Sequence, residues 1–489
     1  MISFPQATPI TPTSLASHAS LASPPLPNVN WGAVLSDGIW RSWAPHDTGS
    51  TRAEPALAVG SDRLMTATTP GLGAFFNPQN GDDQIGNYSR NPYDPLTLND
   101  WLGPVLPGDS KSYWINQPQL LVDPVGPDGL GNLRECYVHL AYASRSSDHS
   151  ALLVRANTYY TGTVEFGEWN MASWDVSQNG TVYAAYVRAG ETINAIIITA
   201  NIYAWADNSF QYCQLWSIPK AEMYPPFGGA GHTIRSFTHD DDRPAASLVP
   251  AVSYVNSTVT YLVSAWDPGA GTANKLTVWR IDTQNPLAPI INRQTVPVAD
   301  FSVPPDAQQK GTDVLITTWD ASITNAVLQP NGLWVAQGTG GTLDGDTTVR
   351  SCVSWYQLDP GGSEVLQQET LGFPGWHFYH PSIAANANGG MTLALNASAD
   401  SSYVGLYYTG RRAADPANTV ADGLVLVHRG EGCFVRPEVS GVNPLGSRTA
   451  AALDLSDGRS TWVFGAYPAG TNADCRTNLW GTWLARVTW

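Results

Sequence analysis

One unit recurs along this chain and limits what it can fold into: a short apolar strand, an Asn-Gly or Asp-Gly turn, then a second apolar strand. The clearest copy is PSIAANANGGMTLAL from Pro381, with ASWDVSQNGTVYAAY from Ala172, TNAVLQPNGLWVAQ from Thr324 and AALDLSDGRSTWVFGAY from Ala451 close to it. Looser copies begin at Pro55, Pro118 and Pro250. Asn-Gly and Asp-Gly supply the positive φ angles that tight hairpins need, so each copy reads as two paired strands. The seven starts are spaced by an average of roughly 66 residues, room for four short strands with their loops. This predicts a single seven-bladed β-propeller with four-stranded blades over residues 29–489. Two packed β-sandwiches would also yield strands at these intervals, but not the same turn at one phase seven times. The final stretch NLWGTWLARVTW alternates apolar residues and should pair with strands near Trp31 to Trp43, closing the ring so that no sheet edge is exposed.

Composition agrees. Forty-five Gly and 36 Pro disfavour long helices, while 19 Trp, 20 Tyr and 12 Phe suit pleated, buried sheets. Residues 1–28 contain no charged side chain and six prolines, the signature of a disordered Ser/Thr/Pro-rich segment rather than a signal peptide. The apolar run Thr192–Ala206 is too short to span a bilayer and reads as a buried strand. Against 25 basic residues stand 41 acidic ones, a formal charge of −16 that repels phosphate backbones, so nucleic acid is not an expected partner. Five cysteines without metal spacing exclude a zinc motif and allow one or two disulfides.

Several blades resemble bacterial secreted propellers of the sialidase-like, Asp-box-related type. The resemblance rests on ITTWDASITNAVLQPNGLWVAQ with VSWYQLDP, and on WHFYHPSIAANANGGMTLALNASADSSYVGLYYTGR, and covers most of residues 310–489. LSDGRSTW approximates the Asp-box, and TRAEPALAV approximates the Arg-Ile-Pro element, with Arg52 three residues before Pro55 instead of two. The resemblance implies a secreted or cell-surface location and a glycan ligand, with Arg52 positioned to hold a carboxylate. It speaks for fold more than for chemistry.

Propeller ligands meet the loops that enter the innermost strands. The residues just before each repeat start are Arg52 and Glu54, Asn116 and Gln117, Asn170, Asp320, His380 and Arg448, expected to converge on a central channel mouth. Solvated rim residues would look the same. GWHFYHP crowds Trp376, His377, Tyr379 and His380 into one corner, where His380 and Tyr379 could act as base and acid and Trp376 could stack on a sugar, unless the corner is plain aromatic packing. THDDDRPA sets His239 and Asp240–Asp242 beside Arg243. Such carboxylates could hold calcium or flank a scissile bond, although a solvated acidic turn is the simpler reading. Asp344 and Asp346 offer calcium still less, and no cofactor is required. The expected function is extracellular glycan recognition at the channel mouth. A glycoside hydrolase or polysaccharide lyase, with Glu54, Asp320, Tyr379 and His380 as its chemistry, is the alternative, and a surface module binding another protein is the third.

Overall fold

The computed structural model describes residues 40–41, 52–76 apart from 62 and 70, 96–109, 112–127, 133–145, 149–157, 169–224, 233–237, 245–420, 423–436, 441, 443–469, 475 and 480–488. Residues 1–28, His239–Asp242 and Arg243 lie outside these.

The fold is an all-β propeller. Its innermost strands, numbered in chain order, are β1 (Ala56–Val59), β2 (Trp114–Pro127), β3 (Val182–Glu191), β4 (Val249–Pro250), β5 (Ile323–Gln329), β6 (His377–Ala385) and β7 (Ala450–Leu453). Each neighbours the next, and β7 neighbours β1, so the cycle closes. Each inner strand leads outward into an antiparallel sheet. Six sheets have four strands where seven such sheets were expected. The sheet of β5 has five, because Val252–Ser253 leaves the line of β4 and pairs in parallel with Val327–Leu328. A two-stranded hairpin, Ala307–Gln309 with Thr312–Ile316, is inserted between the sheets of β4 and β5 and packs on the sheet of β6. Helix among the described residues amounts to Leu98–Leu102, Lys220–Met223, the 3-10 turn Gly103–Val105 and a 3-10 residue at Ser112.

Burial explains why the strands read as continuous apolar runs. A blade is covered on both faces by its neighbours, so alternation disappears. Every residue of β6 and of the strand Met391–Ala399 beside it is buried. The Ala195–Ala204 strand is the expected buried run, with Ile196, Ile197 and Ile198 fully enclosed. A separate apolar layer fills each junction, for example Leu57, Val59 and Leu64 against Trp462, Phe464 and Leu484. Turns are made as the sequence predicts: Gly389 at φ 88° and Gly458 at φ 61° take conformations that a Cβ would strain.

The ring closes through the N-terminal side. Trp40–Arg41 pairs antiparallel with Trp480–Val487, Trp40 opposite Thr482, as expected from the alternating last segment. One disulfide, Cys433–Cys475, ties the connection ahead of β7 to the loop between the two strands that follow it, whereas Cys136, Cys213 and Cys352 are buried thiols. No helix among the described residues is long and apolar enough to cross a membrane.

One repeat start is out of phase. Ala172 lies on Trp169–Asp175, the outermost strand of the β2 sheet, and the Gln178–Gly180 turn joins that sheet to β3 instead of closing a hairpin. Asn170 is therefore on a rim strand, remote from any inner-strand entry.

Candidate functional site

Six of the seven inner strands carry the same backbone irregularity. Glu54, Gln117, Tyr186, Ser247, Trp319 and His380 have φ between 41° and 67°, each just before or within its inner strand. In β2, β3 and β6 the ladder slips at the same point. A left-handed residue that is not glycine costs roughly 1–2 kcal/mol, and such strain gathers where side chains must be aimed. The bulge turns these side chains out of the blade and toward the shared axis.

Two of these side chains, Glu54 and His380, join Arg448 and Arg188 in a buried polar floor. Glu54, His380, Arg448 and Arg188 are all buried, Glu54 at 1% exposure and Arg188 at 8%. Arg448 donates from Nε to the Pro55 carbonyl at 3.3 Å and from Nη2 to the Pro118 carbonyl at 2.8 Å, linking β7 to the entries of β1 and β2. Burial, then the neighbouring Arg188, lowers its pKa to about 9. Burial also lowers that of Arg188, against the fields of Glu54, Tyr186 and Asp320. Glu54 accepts from the Ser447 hydroxyl through Oε2, while Gln117 accepts the Tyr186 backbone N–H at 2.8 Å. Of the buried side-chain atoms without a partner, two belong to this floor: Glu54 Oε1 and Arg188 Nε.

Beside this floor stands a partly buried aromatic rim. Tyr142 and Tyr203 come from second strands, opposite Asn116 and Tyr183 in register. Tyr142 is pushed up to about 12 by burial, with Arg52, Glu54, Tyr183 and Asn116 also acting on it. Tyr186 is raised by burial and by Asp320. Arg52 lies 4.6 Å over the Trp319 ring, whose Nε1–H is held by the Gly446 carbonyl at 2.8 Å. Asp320 is exposed and accepts from the Ser322 N–H. Arg52, Arg188 and Arg448 thus outnumber Glu54 and Asp320 in this cluster.

The residues of GWHFYHP separate. His380 alone reaches the floor, where Glu54 acts on its charge. Its ring nitrogens lie 3.3 Å from Asn396 Oδ1 and 3.2 Å from the Thr317 carbonyl. A neutral ring can donate to only one of them, and burial depresses its pKa to about 4. Tyr379 sits in an apolar cluster with its hydroxyl 2.9 Å from that of Ser398. Trp376 packs edge-on against Tyr407, and His377 lies against Ser351 and Arg350. In this protein the corner is chiefly packing. Asn116 accepts from the Thr69 hydroxyl at 3.1 Å and its own neighbour's N–H.

Asp346 is engaged by Arg350 at 2.6 Å and by the Gly375 N–H, and no group of three or more metal-ligating side chains occurs among the described residues. Sequence reasoning did not single out Arg188, Tyr142, Tyr186, Tyr203 and Trp319. Placing β3 at Val182 instead of Ala172 exposes Tyr186 and Arg188, and cross-strand register then supplies the tyrosines.

No family model and no curated protein matches the sequence. Among solved structures the chain is similar to a mutant of Synechocystis apocarotenoid oxygenase, with 12% identity over 76% of this chain and 72% of that one and a TM-score of 0.40. It is also similar to the Fusarium graminearum α-L-arabinofuranosidase Arb93A, at 10% identity over 91% and 94% and a TM-score of 0.37. A third is a Penicillium chrysogenum α-L-arabinanase, at 9% identity over 62% and 92% and a TM-score of 0.32.

Proposed function

We propose that this protein recognises an extracellular saccharide at the axial site, with the sugar seated on the tyrosine rim and an acidic group of the ligand on Arg188. The observation that carries the proposal is two unpartnered buried atoms of opposite charge, Glu54 Oε1 and Arg188 Nε, brought together beside partly buried tyrosines. Such atoms cost about 1–3 kcal/mol each, and a ligand that bonds them recovers that cost. The excess of arginine selects a carboxylate-bearing sugar, in line with the sialidase-like resemblance. Counting the five-stranded sheet beside the six four-stranded ones gives the scaffold seven blades. A disulfide fits a secreted or cell-surface protein.

A hydrolytic reading draws on one further observation: two carboxylates, Glu54 and Asp320, act on the same Arg188 and Tyr186. Such a pair is what glycoside hydrolysis requires. A glycan array on the purified chain tests the main reading, and acidic glycans should bind with at least tenfold weakening in Arg188→Gln. Retention of neutral glycans alone, or no glycan at all, would sink it. Incubating the bound glycans with wild type and Glu54→Gln decides the hydrolytic reading, which fails if the parent releases no product.

A further inference from the structure

Blades diverge as they run outward from the axis, so each junction widens toward the rim and must be filled by large side chains. At the junction of the β5 and β6 sheets it is filled: Trp334 and Trp355 are fully buried, their rings 6.0 Å apart, and Trp376 caps the same layer. The junction of the β2 and β3 sheets has its own apolar layer, with Trp216 inside it, but at the outer end Trp174 and Tyr212 are only partly buried. There a cleft of about 450 Å³ stays open, lined by Trp174, Trp216 and Tyr212 together with Asp175, Gln178 and Gln214. Trp174 also borders a second, much smaller depression of about 10 Å³ with Met171 and Ile218.

The lining has a chemical character. The partly exposed Trp174 indole and Tyr212 phenol, backed by the buried Trp216, offer amphipathic surface, and amides and a carboxylate stand beside them, the combination that meets the C–H faces and the hydroxyls of a pyranose. Gln178 donates to the Tyr212 hydroxyl, which fixes both at the opening. Asp175 holds the Ser177 N–H at 2.7 Å and the Ser177 hydroxyl on Oδ1, while Oδ2 lies 3.9 Å from His149 Nε2. Desolvation opposes its ionisation, but the Ser177 bonds keep its carboxyl below the ordinary value. Among the described residues neither depression is lined by Lys or Arg, and Glu222 borders the smaller one. The charge that those residues present to a ligand is negative.

We infer that this rim cleft is a second saccharide site, specific for neutral oligosaccharides and separate from the axial site. It stands on its own residues and does not depend on the axial reading. Its volume of about 450 Å³ is within the range of small-molecule pockets. A protein with two such sites on one rigid disc would hold a long glycan at two points, raising its hold through effective concentration.

Isothermal titration with cellohexaose, xylohexaose, mannohexaose and arabinohexaose tests the inference. At least one should bind the wild-type chain, at least tenfold more weakly in Trp174→Ala and several-fold more weakly in Tyr212→Phe, which removes one hydroxyl and little packing. Arg188→Gln should bind the same sugar as the parent does. Binding by none of the four, or binding left unchanged by both rim substitutions, overturns the inference. Loss in Arg188→Gln with the rim variants unaffected also overturns it, since the sugar would then sit on the axis. An axial site that fails while Trp174→Ala still weakens a neutral sugar leaves this inference standing.

Discussion

Asp454 shows how one buried carboxylate organises a blade. It receives the Trp462 Nε1–H at 2.9 Å and the Ser456 N–H at 3.0 Å, and Arg486 lies 2.9 Å from Oδ2. Asp454→Asn would set an amide against two donors, and a loss of about 3 kcal/mol is expected in urea unfolding. A loss below about 1 kcal/mol would show that the network rearranges at little cost. Titration at single residues also sets the pH of greatest stability. His139, His377 and His380 are held neutral, burial being the first cause in each, at about 3, 4 and 4. They take up protons more readily when unfolded, so their contribution is complete above about pH 6.5 and lost as pH falls toward 4. His428, lowered by burial, acts in the same sense. Glu191 and Glu369 behave oppositely, raised by burial to about 8 and 7. The fold keeps protons that the unfolded chain releases, so this contribution is lost as pH rises from about 4.5 through those values. The melting temperature should therefore peak near pH 6.5 and decline toward both pH 5 and pH 8. In Glu191→Gln the decline between pH 7 and 8 should flatten, and a parent that gains stability over that interval would contradict the assignment.

At the scale of elements, the positive-φ bulge is what the sequence half revealed. Glu54-Pro55, Gln117-Pro118 and His380-Pro381 mark it with a proline, and those copies were found in phase. At β3 the same bulge is Tyr186-Val187, without a proline, while a well-formed Gln-Asn-Gly turn eight residues earlier imitates a hairpin. The turn signal was genuine, but it joins two blades, and turn chemistry alone does not distinguish the two uses. Arg448, Glu54 and His380 were legible because they precede strands correctly placed. Arg188 lay inside a strand credited to another phase, and the rim tyrosines come from second strands, whose facing partners only register reveals. The closing strand gives a test by truncation. A chain beginning at residue 29 should melt as the full chain does, since it keeps Trp40–Arg41. One beginning at residue 45 exposes the Trp480–Val487 edge and should melt several degrees lower and aggregate. Equal melting of all three would mean that the two-residue pairing contributes nothing to closure.

For the molecule as a whole, the cycle of inner strands brings residues hundreds of positions apart to one axis, so the site could be foreseen as a ring but not in depth. Sequence phase says which residues face inward; it does not say that Glu54 and Arg188 are buried beside a tyrosine rim while Asp320 stays in solvent. The Cys433–Cys475 bond should matter at this scale too, because it ties the connection ahead of β7 to the loop between the two strands that follow it. Its reduction is expected to lower stability by about 2–4 kcal/mol, read as a drop in the urea midpoint. The central claim is that the axis is a binding site and not merely a packed hub. Its most direct test is a crystal structure of the protein with the acidic glycan selected on the array. The account predicts a sugar acid within hydrogen-bond distance of Arg188 Nε, with Glu54 Oε1 bonded to a ligand hydroxyl. A complex in which the glycan leaves both atoms untouched, or lies only in the rim cleft, would contradict it.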